Sequence, residues 1–475
     1  MLYKRVNYRN SFIVLMTILD LDFLTAKGAK YLQVANAISN AITHGQLKSE
    51  AKLPPQRILA YKLKVTVGTI TRAYKELERR GCVITKVGSG TFVKPMTPHP
   101  ALLSTVNHAQ FDLRSANAPN INQLTLLQQG LIDIANDPTT LLQCLNYQPE
   151  IAFSSQRQRL ACWLELQKIH CQEQQVLFTY GGQHAVTLTL QTLCRAGDTV
   201  LCEGLTFAGF SATCQILQLK VIGLAMDHEG VTIDALTSAI KQSHPRVLYL
   251  TPQVQNPTCS QLTFERRLQI VALCQRHNIT IIEDDVQFLP AKLKQPPFYQ
   301  LAPELTVYIS SFSKSFSGGL RIGFLVTTPE LREKMRLTLK ANCWTLPPLQ
   351  IELFCRWLEQ GKIDELANSI EQEMTVRHQI AKEILADYQI TTQIGGYNLW
   401  LTLPTHWRAV DFERFAEKNH VLVRAAESFA IGRFNAPQAI RISLCAAQNH
   451  DVLRQSLNAL KACLSSSISH QDVVI

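Results

Sequence analysis

Ser311-Phe312-Ser313-Lys314 is followed seven residues later by Arg321, within Gly318-Gly319-Leu320-Arg321-Ile322-Gly323. A lysine amine condenses with an aldehyde, and small hydroxyls just upstream with an arginine just downstream are donors that hold a phosphate. The ligand suited to such a stretch is an aldehyde carrying a phosphate, and pyridoxal 5'-phosphate is the cofactor of that chemistry. Compatible groups stand earlier in the chain. Tyr180-Gly181-Gly182-Gln183 precedes an apolar helical stretch, so its glycines can bring backbone amides at a helix start to a phosphate. Phe207 offers a flat ring to a pyridine, and Asn256 in Gln255-Asn256-Pro257-Thr258 offers an amide to a ring hydroxyl. Asp284, in Ile281-Ile282-Glu283-Asp284-Asp285, offers a carboxylate to a protonated pyridine nitrogen. Each has an ordinary reading as well: a core phenylalanine, an Asn-Pro turn, a capping acid, a surface lysine. Their order along one chain is what favours the chemical reading.

These residues need elements to position them. Short apolar stretches at Thr199–Cys202, Arg246–Leu250 and Ile279–Ile282 alternate with helical ones, which predicts an α/β fold with a mostly parallel, helix-covered central sheet. Ligands bind such sheets beyond the carboxyl ends of the strands, and the polar motifs fall there.

A chain of 475 residues with 46% hydrophobic and 18% charged content is too long for one core and too apolar for disorder. Its net charge of +10 is concentrated: residues 25–95 hold 13 Lys/Arg against 3 Asp/Glu, which is +10 by themselves. One segment therefore calls for a polyanion, nucleic acid first, while the remainder has an ordinary surface. The 13 cysteines are scattered without a Cys-x-x-Cys pair, so neither a disulfide framework nor a metal site is legible, and a reducing cytoplasm is expected. The apolar run from Phe12 to Leu24 is interrupted by Asp20 and Asp22 and is too short to span a bilayer, so no membrane partner is expected. A translation start at Met16 is an equally good reading of the first residues.

Within the basic segment, Val34, Ile38 and Ile42 recur at fourfold spacing in a first helix over 31–44 that Gly45 ends. Pro54-Pro55 open a short second helix. Thr66 caps a third, whose apolar side is Ile70, Tyr74 and Leu77 and which Gly81 stops. Val83 to Val93 reads as two strands turning at Gly88-Ser89-Gly90. This predicts a helix-turn-helix with a wing. Thr66, Thr69 and Arg72 then lie at the exposed start of the third helix, Arg57 braces a phosphate, and Lys86 and Gly90 sit near the DNA backbone. The strings Leu53-Pro54-Pro55-Gln56-Arg57, Val65 to Tyr74 and Gly88 to Val93 resemble the winged helix of GntR-type bacterial regulators. Thr66-Val67 stands where that family often has Ser-Arg, so a common DNA-contacting arginine is missing.

Residues 96–125 carry prolines and asparagines without a period and read as a linker, between a DNA-binding domain at 25–95 and a larger domain at 126–465. The larger domain resembles fold-type I pyridoxal phosphate enzymes of the class I aminotransferase kind. In that resemblance Lys314 carries the cofactor covalently and Asp284 pairs with its ring nitrogen, while Asn256 meets the ring oxygen and Phe207 stacks on the ring. Gly181, Gly182, Ser311, Ser313 and Arg321 hold the phosphate. Arg441, in Ile440-Arg441-Ile442-Ser443, takes an α-carboxylate, and Tyr147 reaches the phosphate in a partner subunit, which implies a homodimer. Three departures bear on turnover: Cys259 where the family has glycine, Val286 where regulators of this type often have tyrosine, and Ala425-Ala426 in place of Pro-Gly.

A winged helix ahead of an aminotransferase-like domain resembles the MocR subfamily of GntR regulators. The function implied is transcription regulation on double-stranded DNA, with pyridoxal phosphate or its adduct with a small, carboxylated amino compound as the sensed ligand. The competing reading is a working aminotransferase with an attached DNA-binding domain. A third keeps the DNA binding and reduces the large domain to a dimerisation body.

Overall fold

The computed structural model describes residues 29–43, 46–48, 50–79, 82–86, 89–93, 111–432 and 434–466. The first residues with the Met16 question, Gly45, Gly81, Gly88 and residues 96–110 of the expected linker lie outside the described residues. The chain forms two compact units, residues 1–108 and 109–475.

In the first unit, helices α1 (Lys30–Thr43), α2 (Gln56–Lys62) and α3 (Val67–Arg79) precede an antiparallel hairpin of β1 (Val83–Lys86) and β2 (Gly90–Val93). The fourfold apolar spacing has the expected result: Val34 and Ile38 of α1 and Ile70, Ala73 and Leu77 of α3 are fully buried together. Tyr74 joins them and donates its hydroxyl to the Pro54 carbonyl at 2.7 Å, tying α3 to the turn ahead of α2. That turn in turn carries the hairpin, because Leu53 N–H donates to Thr91 O at 2.8 Å and Val93 N–H to Ala51 O at 2.8 Å. The direction in which α3 presents its outer face is thus set by buried contacts.

The second unit is built on seven strands: β4 (Val176–Thr179), β5 (Thr199–Glu203), β6 (Lys220–Leu224), β7 (Val247–Leu250), β8 (Thr280–Asp284), β9 (Thr306–Ser311) and β10 (Gly323–Val326). A two-residue strand, β3 (Phe111–Asp112), precedes them in the chain. The sheet order is β4–β10–β9–β8–β7–β5–β6, with β10 antiparallel to both neighbours and the other pairs parallel. Its strands are apolar at nearly every position because helices cover both faces. Six strands therefore end on one edge, and β10 starts there.

A smaller antiparallel sheet comprises β11 (Ile390–Thr392), β12 (Asn398–Thr402), β14 (Arg424–Ala425) and β15 (Ala439–Ser443), in the order β11–β12–β15–β14. Strand β13 (Val421–Leu422) pairs instead with β3. From Phe111 onward the chain is thus built into the second unit, although residues 96–125 read as a linker. Pairing with β13 and a bond from Ser443 N–H to Leu113 O (2.8 Å) tie its first residues to the second unit, over a span too short to show a period in the sequence.

Candidate functional site

At the carboxyl edge of the large sheet lies a cavity of about 550 Å³. Gly182, Phe207, Asn256, Asp284, Ser311, Ser313, Lys314, Arg321 and Arg441 all line it. Gly181 stands directly behind Arg321. Tyr147 is elsewhere, 83% exposed on the surface.

Asp284 is the last residue of β8 and is buried. Tyr249 donates its hydroxyl to Asp284 Oδ2 at 2.6 Å, and Val286 N–H donates to Oδ1 at 3.1 Å. Burial nevertheless pushes the carboxyl up to about 6, with the Tyr249 and Val286 bonds opposing it. A nearby cation would favour its charged form. Ser311 ends β9, and its hydroxyl donates to Ile322 O at 3.0 Å and lies 3.0 Å from the Ser313 hydroxyl, which holds the turn that delivers Lys314. Burial, reinforced by Arg441 and Arg321, pulls the Lys314 amine below its ordinary value, so that more of it is the free nucleophile. Its Nζ donates to the Ala116 carbonyl.

The anion cradle is made by close approach. Gly181 opens the helix α4 (Gly181–Leu193) at φ +78°. A Cβ there would lie 2.9 Å from Arg321 Nη2, and one on Gly323 would lie 2.7 Å from the Gly181 backbone. Arg321, itself left-handed at φ +53°, donates Nη2 to Tyr180 O at 3.1 Å. A helix N-terminus, two serine hydroxyls and a guanidinium thus line one cavity, an arrangement that fits a phosphate. Val286 takes the space beside Gly182, where a Cβ would meet Val286 Cγ2 at 2.6 Å.

On the facing wall, Arg441 of β15 donates Nη1 to Asn256 Oδ1 at 2.8 Å and Nη2 to Arg114 O at 2.6 Å, with its guanidinium 5.0 Å from the Phe429 ring. Its Nε is buried without an acceptor among the described residues. The amide oxygen of Asn256 is thereby engaged, which turns its NH₂ toward other acceptors. Cys259 adopts φ +61°, the left-handed conformation for which glycine is favoured.

Residues 121–460 match the family model described as aminotransferase class I and II. The chain belongs to that family. Residues 30–93 match bacterial regulatory proteins of the gntR family, and the two together are the arrangement of the MocR subfamily. Over 448 residues the chain is 29% identical to the uncharacterized HTH-type transcriptional regulator YdeF of Bacillus subtilis, covering 91% of this chain and 94% of that one. It is 27% identical over 445 residues to the vitamin B6 salvage pathway transcriptional repressor PtsJ of Salmonella typhimurium, covering 90% and 98%. The fold is similar to that of LysN, the alpha-aminoadipate aminotransferase of Thermus thermophilus, with a TM-score of 0.67 at 22% identity, covering 76% of this chain and 94% of that one. The protein is a DNA-binding transcription regulator with an aminotransferase-like domain, and pyridoxal phosphate is its cofactor.

On the first unit, Arg57 and Arg72 are exposed, at the start of α2 and on α3. Thr66 Oγ accepts from Thr69 N–H at 3.2 Å, capping α3 as expected, and lies 2.9 Å from the Thr69 hydroxyl. The two hydroxyls share one hydrogen between them, which leaves the other free to donate outward. Lys86 sits exposed at the end of β1 with Nζ 5.5 Å from the Phe92 ring, and Gly90 takes φ +111° against Lys52. Glu78 Oε1 accepts from Thr85 N–H at 3.1 Å, holding the hairpin to α3.

The sequence reading did not single out Tyr249, Arg424 or the carbonyls of Arg114 and Ala116. Tyr249 carried only the signal of an aromatic residue in an apolar strand. No helix among the described residues is long and apolar enough to cross a membrane, and no group of three His, Cys, Asp or Glu side chains among them is placed to hold a metal.

Proposed function

We propose that this regulator holds pyridoxal phosphate on Lys314 and changes its hold on an operator when a carboxylated amino compound enters the same cavity. The observation that carries this reading is the convergence of Lys314, Asp284, Arg321 and Arg441 on one cavity, in a chain that begins with a GntR-type domain. When bound, the cofactor supplies an aldehyde for amine exchange and a pyridine ring that withdraws electrons. Gly181, Gly182, Ser311, Ser313 and Arg321 bind its phosphate, Asp284 keeps a proton on the ring nitrogen, and Asn256 orients the ring oxygen. Phe207 covers the ring face. Arg441 takes the α-carboxylate of the incoming amine, and its guanidinium is then shared between that carboxylate and Arg114 O. That sharing bears on Arg114, which lies within the expected linker, 96–125, and gives ligand occupancy a route toward the DNA-binding domain at 25–95.

The working state of this reading is a cytoplasmic homodimer. Leu131 and Ile132 on the helix Gln123–Ala135, then Leu142, Leu145 and Tyr147, form an exposed apolar run that a second copy would cover, with Tyr147 meeting the partner's phosphate. PtsJ, a repressor of vitamin B6 salvage, makes the cofactor itself a second candidate signal. Net transamination is not part of the reading, because Val286 and the strained Cys259 occupy places that shape the ring's surroundings.

The test combines the absorbance of the lysine-bound cofactor, before and after borohydride and beside Lys314→Ala, with operator affinity at fixed salt. Cofactor trapped only in the wild type, and an operator affinity that moves on adding amine, would support the reading. Trapped cofactor with unmoved affinity and rapid amino transfer to 2-oxo acids would replace it with the enzyme reading.

A further inference from the structure

Strands β14 and β15 are antiparallel neighbours, and their register sets Arg424 directly opposite Arg441. Residues paired in this way leave the same face of a sheet with Cβ atoms about 5 Å apart. Both side chains accordingly line the same cavity. Like charges directly opposite destabilise a strand pair, and an anion held between them would offset that cost. Arg441 is bound to neutral acceptors, and Arg424, its side chain 45% exposed, forms an ion pair with Glu413 Oε1 at 3.6 Å from Nη1, longer than a hydrogen bond. Asp112, the other carboxylate that senses Arg424, is already engaged by Arg114 through two bonds of 3.0 Å.

The charges around the cavity sharpen the point. Four cationic side chains line it, Lys314, Arg321, Arg424 and Arg441, against the single carboxylate of Asp284. In the proposed function Lys314 takes the aldehyde, Arg321 the phosphate, Asp284 the ring nitrogen and Arg441 the α-carboxylate. Arg424 is left with no counter-charge from cofactor or α-carboxylate.

We propose that Arg424 binds a second carboxylate, on the side chain of the sensed amine, so that the ligand class is the dicarboxylic α-amino acids. This rests on Arg441 as the α-carboxylate site. The close spacing of the two arginines suits carboxylates joined by a short flexible chain. Ser428 and Gln287 line the same cavity as further hydrogen-bonding groups.

The experiment is a spectral titration of the full-length, cofactor-loaded protein with L-glutamate, L-2-aminoadipate, L-glutamine and L-norleucine. It is run on the wild type, Arg424→Gln, Arg424→Lys and Arg441→Gln, with melting curves to confirm folding. Removing one charged hydrogen-bonding partner is worth on the order of 10- to 100-fold in affinity. Arg424→Gln should weaken the two dicarboxylates by that factor, leave glutamine and norleucine within about threefold, and be partly rescued in Arg424→Lys. Arg441→Gln should weaken all four. Equal binding of acids and amide by the wild type, or a uniform loss in Arg424→Gln, overturns the assignment of Arg424 alone. Arg441→Gln binding all four normally, or no lysine-bound cofactor at all, overturns the underlying site with it.

Discussion

Replacing Gly181 by alanine separates two demands that the structure places on one atom. The backbone there has φ +78°, where an L side chain costs about 1–2 kcal/mol, and this part of the effect falls on stability. The added Cβ would also stand 2.9 Å from Nη2 and 3.2 Å from Cζ of Arg321. A guanidinium at the end of a flexible side chain can move, so the clash itself is cheap. Moving it, however, takes it off the Tyr180 carbonyl and away from the place where Ser311, Ser313 and the start of α4 converge. One charge-assisted hydrogen bond to a phosphate is worth about 1.5–3 kcal/mol, or roughly 10- to 150-fold in the cofactor's dissociation constant. The assay is a titration with pyridoxal phosphate followed by the absorbance of the lysine-bound form, alongside urea unfolding of the cofactor-free protein. Gly319→Ala is the control, since a Cβ there meets only Ser317 Oγ, at 3.7 Å. Gly181→Ala should lose more than tenfold in cofactor affinity and Gly319→Ala less than threefold. A Gly181→Ala protein that is destabilised yet binds the cofactor like the wild type would show that the glycine serves the backbone alone and that Arg321 holds no phosphate.

Tyr249→Phe removes the 2.6 Å donor to Asp284, so the carboxyl should rise further above its value of about 6, and cofactor affinity near pH 7 should fall roughly tenfold and recover as pH is raised; an unchanged pH profile counts against the bond's importance. Glu203, buried and bonded to Thr251, is pushed up by burial to about 7. A carboxyl raised in the folded state contributes stability that is present below its unfolded value and lost as pH rises through the folded one, here on the order of 1 kcal/mol between pH 6 and 8. Glu203→Gln, compared with wild type by urea unfolding at both pH values, should flatten that fall. On DNA, Arg72→Ala and Lys86→Ala should each weaken operator binding. A lost phosphate contact lowers the salt slope by about 0.9, whereas a lost base contact costs about 1–3 kcal/mol on the operator and little on random duplex, and fluorescence anisotropy at several salt concentrations distinguishes them.

Asp284, Ser311 and Lys314 were legible in the sequence because a parallel sheet converts chain order into position. Each stands at or just past the end of a strand, and ends of parallel strands share one edge whatever the register. Tyr249 was not legible because its role depends on register. It pairs with Ile282, so that Asp284, two residues on, is its diagonal neighbour on the same face of β8; a slip of one residue would have put the phenol on the other side. Arg424 was hidden for a related reason. A non-periodic stretch from Ala426 to Gln438 separates its strand from that of Arg441, and only the pairing of β14 with β15 sets the two guanidiniums side by side. Pro119 and the asparagines around it signal a missing period, which is a statement about repeating hydrogen bonds and not about contact. Arg114 and Ala116 use their carbonyls one at a time, on Arg441 and Lys314, and a backbone engaged in that way leaves no pattern in its side chains. Single-residue chemistry at strand ends is thus readable from one sequence, while chemistry made by two strands meeting needs the fold.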